Sequence, residues 1–459
     1  HETSVSHLKN YFLFSSILVL ARNIVFNVKN IFQCSINAKC NDINFLKDKC
    51  SKDSYNLFDY SKAFNQYIES KKQDGSYRKF RNVSRMVDKP SFAICKEKNK
   101  TKKVSVWCSN DYLGLSRHPR VIHAATKALS VCGNGAGGTR NIAGTNNIHT
   151  VVEDALSKLH RKENSLLFNS CISHSRCKKI IFRHNDTKHL EQLLKDLPSH
   201  IPKIVAFESI YSMDGNISEL EEIVKISKKY GAITFCDEVH AIGLYGQYGS
   251  GIAAMKGLSN QVDIISGTLG KSIGAIGGYI CGTKELVDFI RSFGKGFIFT
   301  TSLPPAIISS NEGRLMRQRL KINVKYFKLC MLKIGIPMHD NHSHIIKIKV
   351  GDPKLCESIA NILLSEYNIY VQPINYPTVM RGDEMLRIVP TCYHTKEMII
   401  NFTQCLKKIW EERLGHTVPI YCTEKKVCTR CKHNELENLI SIINCPFRNT
   451  NLHYQQLKL

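Results

Sequence analysis

The feature that most constrains the fold is a strand–helix–strand pattern in the middle of the chain. The apolar run Ile204–Glu208 predicts a buried strand, and a second strand begins at Ile233–Phe235 and runs into Asp237. The helix predicted between them makes the two strands parallel, because such a crossover returns the chain in its original direction. Apolar runs at Ile264–Gly267 and Gly278–Cys281 extend the pattern. The sequence therefore predicts an α/β protein with a mostly parallel central sheet.

The helix of this unit carries its own start and stop signals. Ser218 and Glu221 have the spacing of a capping box, in which the two side chains satisfy free backbone N–H groups at the helix start. Gly231 follows the last apolar position of the helical stripe, where many helices end in a left-handed residue.

The character of the sequence changes along the chain and predicts five segments. After Pro304 and Pro305 an alternating strand at 342–350 and helical stripes at 353–366 and 395–413 indicate a smaller α+β domain. The predicted segments are a leader or extension (1–60), an N-terminal segment (61–105), a large domain (106–310), a small C-terminal domain (311–415) and a cysteine-containing extension (416–459).

The composition argues against nucleic-acid binding and against a disulfide-stabilised secreted protein. The formal net charge is +25, but the lysines are scattered and not interleaved with aromatic residues, so they predict a solvated surface and no nucleic-acid partner. Eighteen cysteines are dispersed through a long chain, many in apolar runs such as those around Cys236, Cys281 and Cys330. Disulfide scaffolds belong to short secreted chains, so we expect reduced thiols and a reducing compartment.

The first forty residues resemble a targeting segment. Glu2 is their only acidic residue, and the apolar run at residues 11–21 is too short to span a bilayer. We expect a mitochondrial protein, in the matrix or on the matrix side of the inner membrane, whose only membrane contact is peripheral. A secretory signal is the alternative that this segment leaves open.

A lysine-containing turn follows one of the predicted strands. In Asp263–Gly274 (DIISGTLGKSIG) an apolar strand runs into Ser-Gly-Thr and then Lys271, which is flanked by small residues. A lysine attacks a carbonyl carbon when its surroundings lower its pKa. Small neighbours let a flat molecule approach the backbone, and the Thr268 hydroxyl can donate to a phosphate. On this segment alone, a lysine in a surface turn stays an open alternative.

A second segment, FCDEVH at residues 235–240, favours the chemical role. Asp237 ends a predicted strand, at the edge where open α/β sheets bind ligands. A carboxylate there can keep a pyridine nitrogen protonated and make the ring an electron sink. A strand-end aspartate can also cap a turn, but Asp-x-x-His followed about thirty residues later by SGTLGK favours the cofactor site.

These segments resemble the fold-type I pyridoxal-phosphate (PLP) transferases, specifically the α-oxoamine synthases and, among them, the 5-aminolevulinate synthases. The resemblance covers roughly residues 60 to 415 and implies that family's fold: a mostly parallel sheet in the large domain and a smaller α+β domain. The matching stretches are SVWCSNDYLGLSRHP (105–119), GAGGTRNIAGT (135–145), IIFRHND (180–186), SMDG (212–215), CDEVHAIGLYG (236–246), DIISGTLGK (263–271), GFIFTTSLPP (296–305) and INYPTVMRGDEMLRIVPT (374–391).

The resemblance implies PLP as cofactor, glycine and succinyl-CoA as substrates, and aminolevulinate, CoA and carbon dioxide as products. Lys271 would form the Schiff base and move the glycine α-proton, and Asp237 would pair with the pyridine nitrogen. Further cofactor contacts are implied for His240, Ser212, Thr268 and, from the facing subunit of a homodimer, Thr300 and Thr301. Substrate contacts are implied for Arg387, which would grip the glycine carboxylate, and for Asn110, Arg78, Thr139, Asn141, Ile142, Lys179 and Thr378.

The sequence departs from this family after Cys171. The chain passes directly to Ile172, where family members carry a strand–helix unit of roughly thirty residues, about one supersecondary element. That unit includes a histidine that stacks on the cofactor ring, and we do not carry its role over to His174. A shorter gap is predicted after Ile308. We expect skipped coding segments, because both flanks resume in register.

Two rival functions and one rival site follow from these observations. A sister synthase making 2-amino-3-oxobutyrate, 8-amino-7-oxononanoate or a sphingoid base is disfavoured by GGTRNIAGT and by Arg78. A non-catalytic or impaired homologue is suggested by the gap after Cys171. In the C-terminal extension, one Cys-x-x-C pair (Cys428 and Cys431) with a single further histidine is too weak to predict zinc, so no metal site is expected.

Overall fold

The structure is a computed structural model that describes residues 59–97, 100–169, 178–304, 313–336, 338–339 and 341–414. The predicted leader, the join between Cys171 and Ile172, the gap after Ile308 and the cysteine-containing extension lie outside these residues. Within them, no helix is both long enough and apolar enough to cross a membrane.

The large domain is built on a five-stranded sheet with flanking helices. Its strands are β4 (Asn164–Phe168), β5 (Lys203–Glu208), β6 (Ala232–Asp237), β7 (Ile264–Thr268) and β8 (Gly278–Gly282). Its helices are α2 (Pro119–Cys132), α3 (Asn147–His160), α4 (Thr187–Lys195), α5 (Leu220–Lys229), α6 (Ile252–Met255), α7 (Lys284–Phe293) and α8 (Lys295–Ile298).

The strand order across this sheet is β4-β8-β7-β6-β5. β5, β6 and β7 are parallel neighbours, and β8 runs antiparallel between β7 and β4. The predicted parallel crossover through α5 and the mostly parallel sheet are therefore confirmed. The carboxyl ends of β5 and β6 meet at one edge, with Glu208 directly opposite Asp237.

The two faces of the sheet are covered unequally. One face packs Val205, Phe207 and Cys236 into the main core, among side chains of α5. On the other face, Leu166, Ile264 and Ile280 lie under α7 and α8. That second cover reaches β6 at Phe235, but within the described residues it leaves the starts of β5 and β6 open: Ile204 is 64% exposed and Ile233 is 41% exposed.

This uncovered half-face, defined by Ile204 and Ile233, adjoins an open strand edge. Among the described residues, β6 is the only strand paired with β5. Parallel sheets are normally covered by helices on both faces. Within the described residues, this half-face and this strand edge therefore lack the helix and the strand that cover such positions in most parallel sheets.

The remaining elements form a smaller α+β domain joined by the N-terminal strands. Its antiparallel sheet has three strands, β9 (Ile346–Lys349), β11 (Gln372–Ile374) and β12 (Met385–Ile388). Their order across the sheet is β11-β12-β9. Around it lie α9 (Gly313–Ile334), α10 (Pro353–Tyr367) and α11 (Lys396–Leu414). The N-terminal elements are α1 (Tyr60–Gln73), β1 (Asn82–Arg85), β2 (Phe92–Glu97) and β3 (Lys100–Val106), and β3 pairs with β10 (Ile369–Tyr370).

The capping box predicted for α5 is wrong. The helix begins at Leu220 with Glu219 as its N-cap, and no side chain caps it. Ser218 does not cap the helix. Its N–H donates to the Ser209 carbonyl at 3.0 Å, next to a bridge between Ile210 and Ile217.

Candidate active site

Two acidic residues end neighbouring strands of the large sheet. Asp237 closes β6 and Glu208 closes β5, and the register places them directly opposite each other. Asp237 Oδ1 accepts a hydrogen bond from the Val239 N–H at 2.9 Å, which fixes the carboxyl at the strand end. Burial raises the pKa of Asp237 to about 6, and the positive charge of Lys271 acts to lower it. A buried carboxyl of this kind is stabilised by a cationic partner.

Lys271 lies in the turn that follows β7. The Lys271 carbonyl accepts from the Gly274 N–H at 2.9 Å, and Ala275 N–H returns to the Leu269 carbonyl at 2.8 Å, which closes the turn. The charge of Lys271 acts on three groups at the carboxyl end of the sheet: it opposes the raised pKa values of Asp237 and Glu208 and adds to the lowered pKa of His240.

His240 is buried beside this edge. Burial, followed by the charges of Lys271 and Arg387, holds its pKa well below the usual value, so the imidazole is neutral at physiological pH. Its Nδ1 lies 2.7 Å from the Tyr112 hydroxyl. If that hydroxyl donates, His240 Nε2 carries the ring proton and can donate to an oxygen of a bound molecule.

Arg387, on β12 of the small domain, reaches the same cluster. Its Nε donates to the Ser212 carbonyl at 2.9 Å, and its Nη1 donates to Asn110 Oδ1 at 3.1 Å. Asn110 Oδ1 also lies 3.2 Å from the Tyr112 hydroxyl, farther than the 2.7 Å that separates this hydroxyl from His240. The guanidinium is thus held from two sides, which orients it as a fork for a carboxylate.

Thr139 and Thr301 lie together in the loops of the large domain. The two residues form an isolated antiparallel bridge, and the Ser302 N–H donates to the Gly138 carbonyl at 2.9 Å. Thr300 donates its hydroxyl to the Gly296 carbonyl at 2.7 Å. The phosphate role predicted for Thr300 and Thr301 stays a prediction.

The other predicted residues of the large domain are dispersed over its loops. Thr268 donates its hydroxyl to the Gly277 carbonyl at 3.0 Å, within the lysine turn. Asn141 is exposed, and Ile142 is 72% exposed. Lys179 is exposed in the coil before α4. The roles of these residues in binding cofactor or substrate also stay predictions.

Arg78 and Thr378 are distant in sequence and adjacent in the structure. The Arg78 Nη2 donates to the Thr378 hydroxyl. The structure thus pairs two residues for which the same substrate-binding role was predicted.

Sequence reasoning missed three residues of the cluster: Glu208, Tyr112 and His344. His344 is buried, and its ring packs edge-on against Tyr112 at 4.3 Å. Glu208 carried a usable signal, because an acidic residue ends the strand just before the one that ends in Asp237. Tyr112 and His344 stand in segments whose apolar pattern does not separate them from core residues.

The described residues fit PLP at the carboxyl edge of the sheet. The charge of a lysine acts on a buried carboxyl with a raised pKa and on a neutral histidine, and the charge of an arginine held by hydrogen bonds acts on the same histidine. The Gly270 backbone is open, since a side chain there would meet its nearest atom only at 3.4 Å. This set supplies a carbonyl-reactive amine, a partner for a ring nitrogen and a carboxylate fork.

Comparison with known sequences identifies the relatives of this chain. The sequence pattern of the family described as aminotransferase class I and II matches residues 102–176 and 166–406. The erythroid-specific mitochondrial 5-aminolevulinate synthase of Bos taurus is 44% identical over 425 residues, which cover 83% of this chain and 72% of that protein. The human counterpart is 44% identical over 421 residues, and that of Danio rerio 43% over 427 residues.

Comparison with solved structures gives the same fold. A serine palmitoyltransferase from S. paucimobilis with a bound PLP–myriocin aldimine superposes with a TM-score of 0.71 at 24% identity, covering 77% of this chain and 99% of that one. The 8-amino-7-oxononanoate synthase of Francisella tularensis superposes with a TM-score of 0.57 at 20% identity, covering 68% and 99%.

Proposed function

Because the chain belongs to the aminotransferase class I and II family and, within it, to the 5-aminolevulinate synthases, we propose that it condenses glycine with succinyl-CoA. The products are 5-aminolevulinate, CoA and carbon dioxide, the first step of one route to haem. The observation that carries the proposal is the meeting of Lys271, Asp237, His240 and Arg387 at one sheet edge. The mitochondrial names of the relatives support a mitochondrial location.

The cluster divides the work of such a reaction among its residues. PLP, when bound, supplies an electron sink for the carbanion formed at the glycine α-carbon. Arg387 binds the glycine carboxylate, and Lys271 takes the proton from the α-carbon. Asp237 keeps the ring nitrogen protonated through its negative charge. His240, whose Nδ1 lies 2.7 Å from the Tyr112 hydroxyl, would donate from Nε2 to the phenolic oxygen of the bound cofactor.

The contact between Arg78 and Thr378 bears on the choice of acyl donor. We expect Arg78→Leu to raise the KM for succinyl-CoA by roughly ten- to a hundredfold, because a charge-assisted contact to the far carboxylate is worth about 1.5–3 kcal/mol. The advantage of succinyl-CoA over uncharged butyryl-CoA should narrow correspondingly. The measurement is kcat/KM for both donors.

Lys79→Leu is the matched control for this variant. Lys79 is an exposed neighbour that pairs with Glu357 at 2.7 Å, outside the cluster. If Arg78→Leu and Lys79→Leu keep the same donor ratio as the parent chain, Arg78 is a surface charge and does not select succinyl-CoA.

We also propose that the functional unit is a homodimer with its active site at the subunit interface. The loops that carry the predicted binding residues also present apolar side chains to solvent: Ile142 is 72%, Phe299 76% and Ile276 68% exposed. Such a surface is typical of an interface between subunits.

The dimer prediction has a direct measurement. Light scattering of the purified chain should give twice the mass of 52.1 kDa, because an obligate interface of this kind commonly buries more than about 2,000 Å². Phe299→Ser should shift the chain towards monomer and lower activity together, and Phe289→Ser on the outside of α7 serves as the control. A fully active monomer would contradict the proposal.

We infer, finally, that a strand–helix block is missing after Cys171. Three observations support this inference: the uncovered half-face at Ile204 and Ile233, the open edge of β5, and the division of the family match at residues 166–176. The block would cover the half-face and pair with the edge strand. The chain as it stands would then bind PLP weakly and turn over slowly.

A further inference from the structure

Glu208 performs no step of the proposed reaction, although it lies next to Asp237 in the candidate active site. It ends β5 directly opposite Asp237 on β6, so the two carboxyls project from the same face of adjacent strands. Its side chain is partly buried. Two carboxyls that are this close cannot both ionise freely.

The environment of Glu208 favours its protonated form. Burial, and then the charge of Asp237, raises the pKa of Glu208 to about 7, while hydrogen bonds from Ser212 and the charge of Lys271 act to lower it. The other titratable groups whose pKa responds to Glu208 are Tyr211 and Tyr112, both neutral at this pH. The pKa of Asp237 is also raised, to about 6, so the two carboxyls share a proton below about pH 7.

Glu208 also holds the main chain that positions Arg387. Its Oε2 accepts a hydrogen bond from the Ser212 N–H at 2.7 Å. The carbonyl of the same residue accepts from Arg387 Nε at 2.9 Å. Ser212 is buried, so water does not readily replace either contact. Glu208 and Arg387 are therefore joined through one residue.

We propose that Glu208 is a positioning residue that orients Arg387 through the main chain of Ser212 and keeps one proton beside Asp237. The first part rests on the proposed function, since it takes Arg387 as the ligand of the glycine carboxylate. The second part does not depend on turnover. The two parts are therefore tested separately.

The proton is tested by thermal unfolding of the cofactor-free full chain between pH 5 and pH 7.5. A carboxyl whose pKa is higher in the folded state stabilises the fold at low pH and loses that contribution as pH rises through the folded value. Glu208→Gln removes this titration. Between pH 5 and pH 7.5 its Tm should therefore fall by roughly 3 °C less than the Tm of the parent chain does. Glu221→Gln, an exposed carboxylate on α5, should match the parent chain.

The positioning is tested by glycine kinetics of PLP-loaded Glu208→Ala and Glu208→Gln. Alanine removes the acceptor of the Ser212 N–H, so glycine KM should rise about tenfold with a smaller change in kcat. Glutamine retains an acceptor oxygen and should restore most of that loss. Equal glycine KM values for the two variants would overturn the positioning role of Glu208. If the Tm of Glu208→Gln changes with pH as that of the parent chain does, Glu208 does not hold a proton beside Asp237. If no aminolevulinate forms even when the missing strand–helix block is supplied, the proposed function is refuted and the pH result alone decides on Glu208.

Discussion

Lys271→Ala is expected to abolish turnover, with a loss of at least about a thousandfold. Lysine at this position is proposed to act twice, as the covalent attachment of the cofactor and as the base for the glycine α-proton, and general-base contributions alone reach about 10²–10⁴-fold. Its charge opposes the raised pKa values of Asp237 and Glu208 and adds to the lowered pKa of His240. The measurements are aminolevulinate formation and the visible absorbance of the lysine-linked cofactor.

Lys188→Ala is the matched control, because Lys188 is exposed on α4 in the same domain. It should leave the absorbance and the turnover at the level of the parent chain. A Lys271→Ala protein that retains both would remove the lysine from the chemistry and with it the assignment of the site.

Restoring a family-like strand–helix block between Cys171 and Ile172 is expected to raise stability and cofactor affinity together. Covering Ile204 and Ile233 and pairing the edge of β5 removes apolar surface from water, and full burial of one isoleucine side chain contributes about 1.5–3 kcal/mol. A residue that stacks on the cofactor ring adds about 0.5–1.5 kcal/mol. From the stack alone we expect PLP to bind roughly two- to tenfold more tightly, and turnover should rise further.

The measurements are the Tm, a PLP titration and the aminolevulinate assay, made on both chains. A Gly/Ser insert of equal length is the control, because it lengthens the chain without supplying a strand or an apolar helix face. Equal affinity and turnover in the original and the restored chains would show that the block is dispensable.

Local patterns in the sequence predicted the elements whose signals lie within one segment. The parallel crossover and the strands that end at Glu208 and Asp237 lie where their patterns placed them. The helices predicted at 353–366 and 395–413 form within a residue of those bounds. The alternating strand predicted at 342–350 forms only over Ile346–Lys349. The capping box at Ser218 failed because a local backbone bridge between Ile210 and Ile217 holds the chain just before the helix.

Contacts that depend on how strands and distant segments align could not be predicted from the sequence pattern. The pairing of Glu208 with Asp237 requires the two strands to be aligned to the residue, and the link from Tyr112 to His240 joins segments 128 positions apart. The exposure of Ile204 was not predicted either. Its apolar neighbours indicate a buried strand, whereas its actual exposure depends on a cover that the described residues do not provide.

The central claim is that the chain joins glycine to succinyl-CoA. The most direct measurement is to incubate the purified chain, with and without the restored block, with PLP, glycine and succinyl-CoA and to quantify aminolevulinate, free CoA and carbon dioxide. The account predicts the three products in equal amounts, faster formation with the block restored, and none in either chain carrying Lys271→Ala. A restored chain that binds PLP and glycine but forms product only with a different acyl-CoA, or with none, would contradict it.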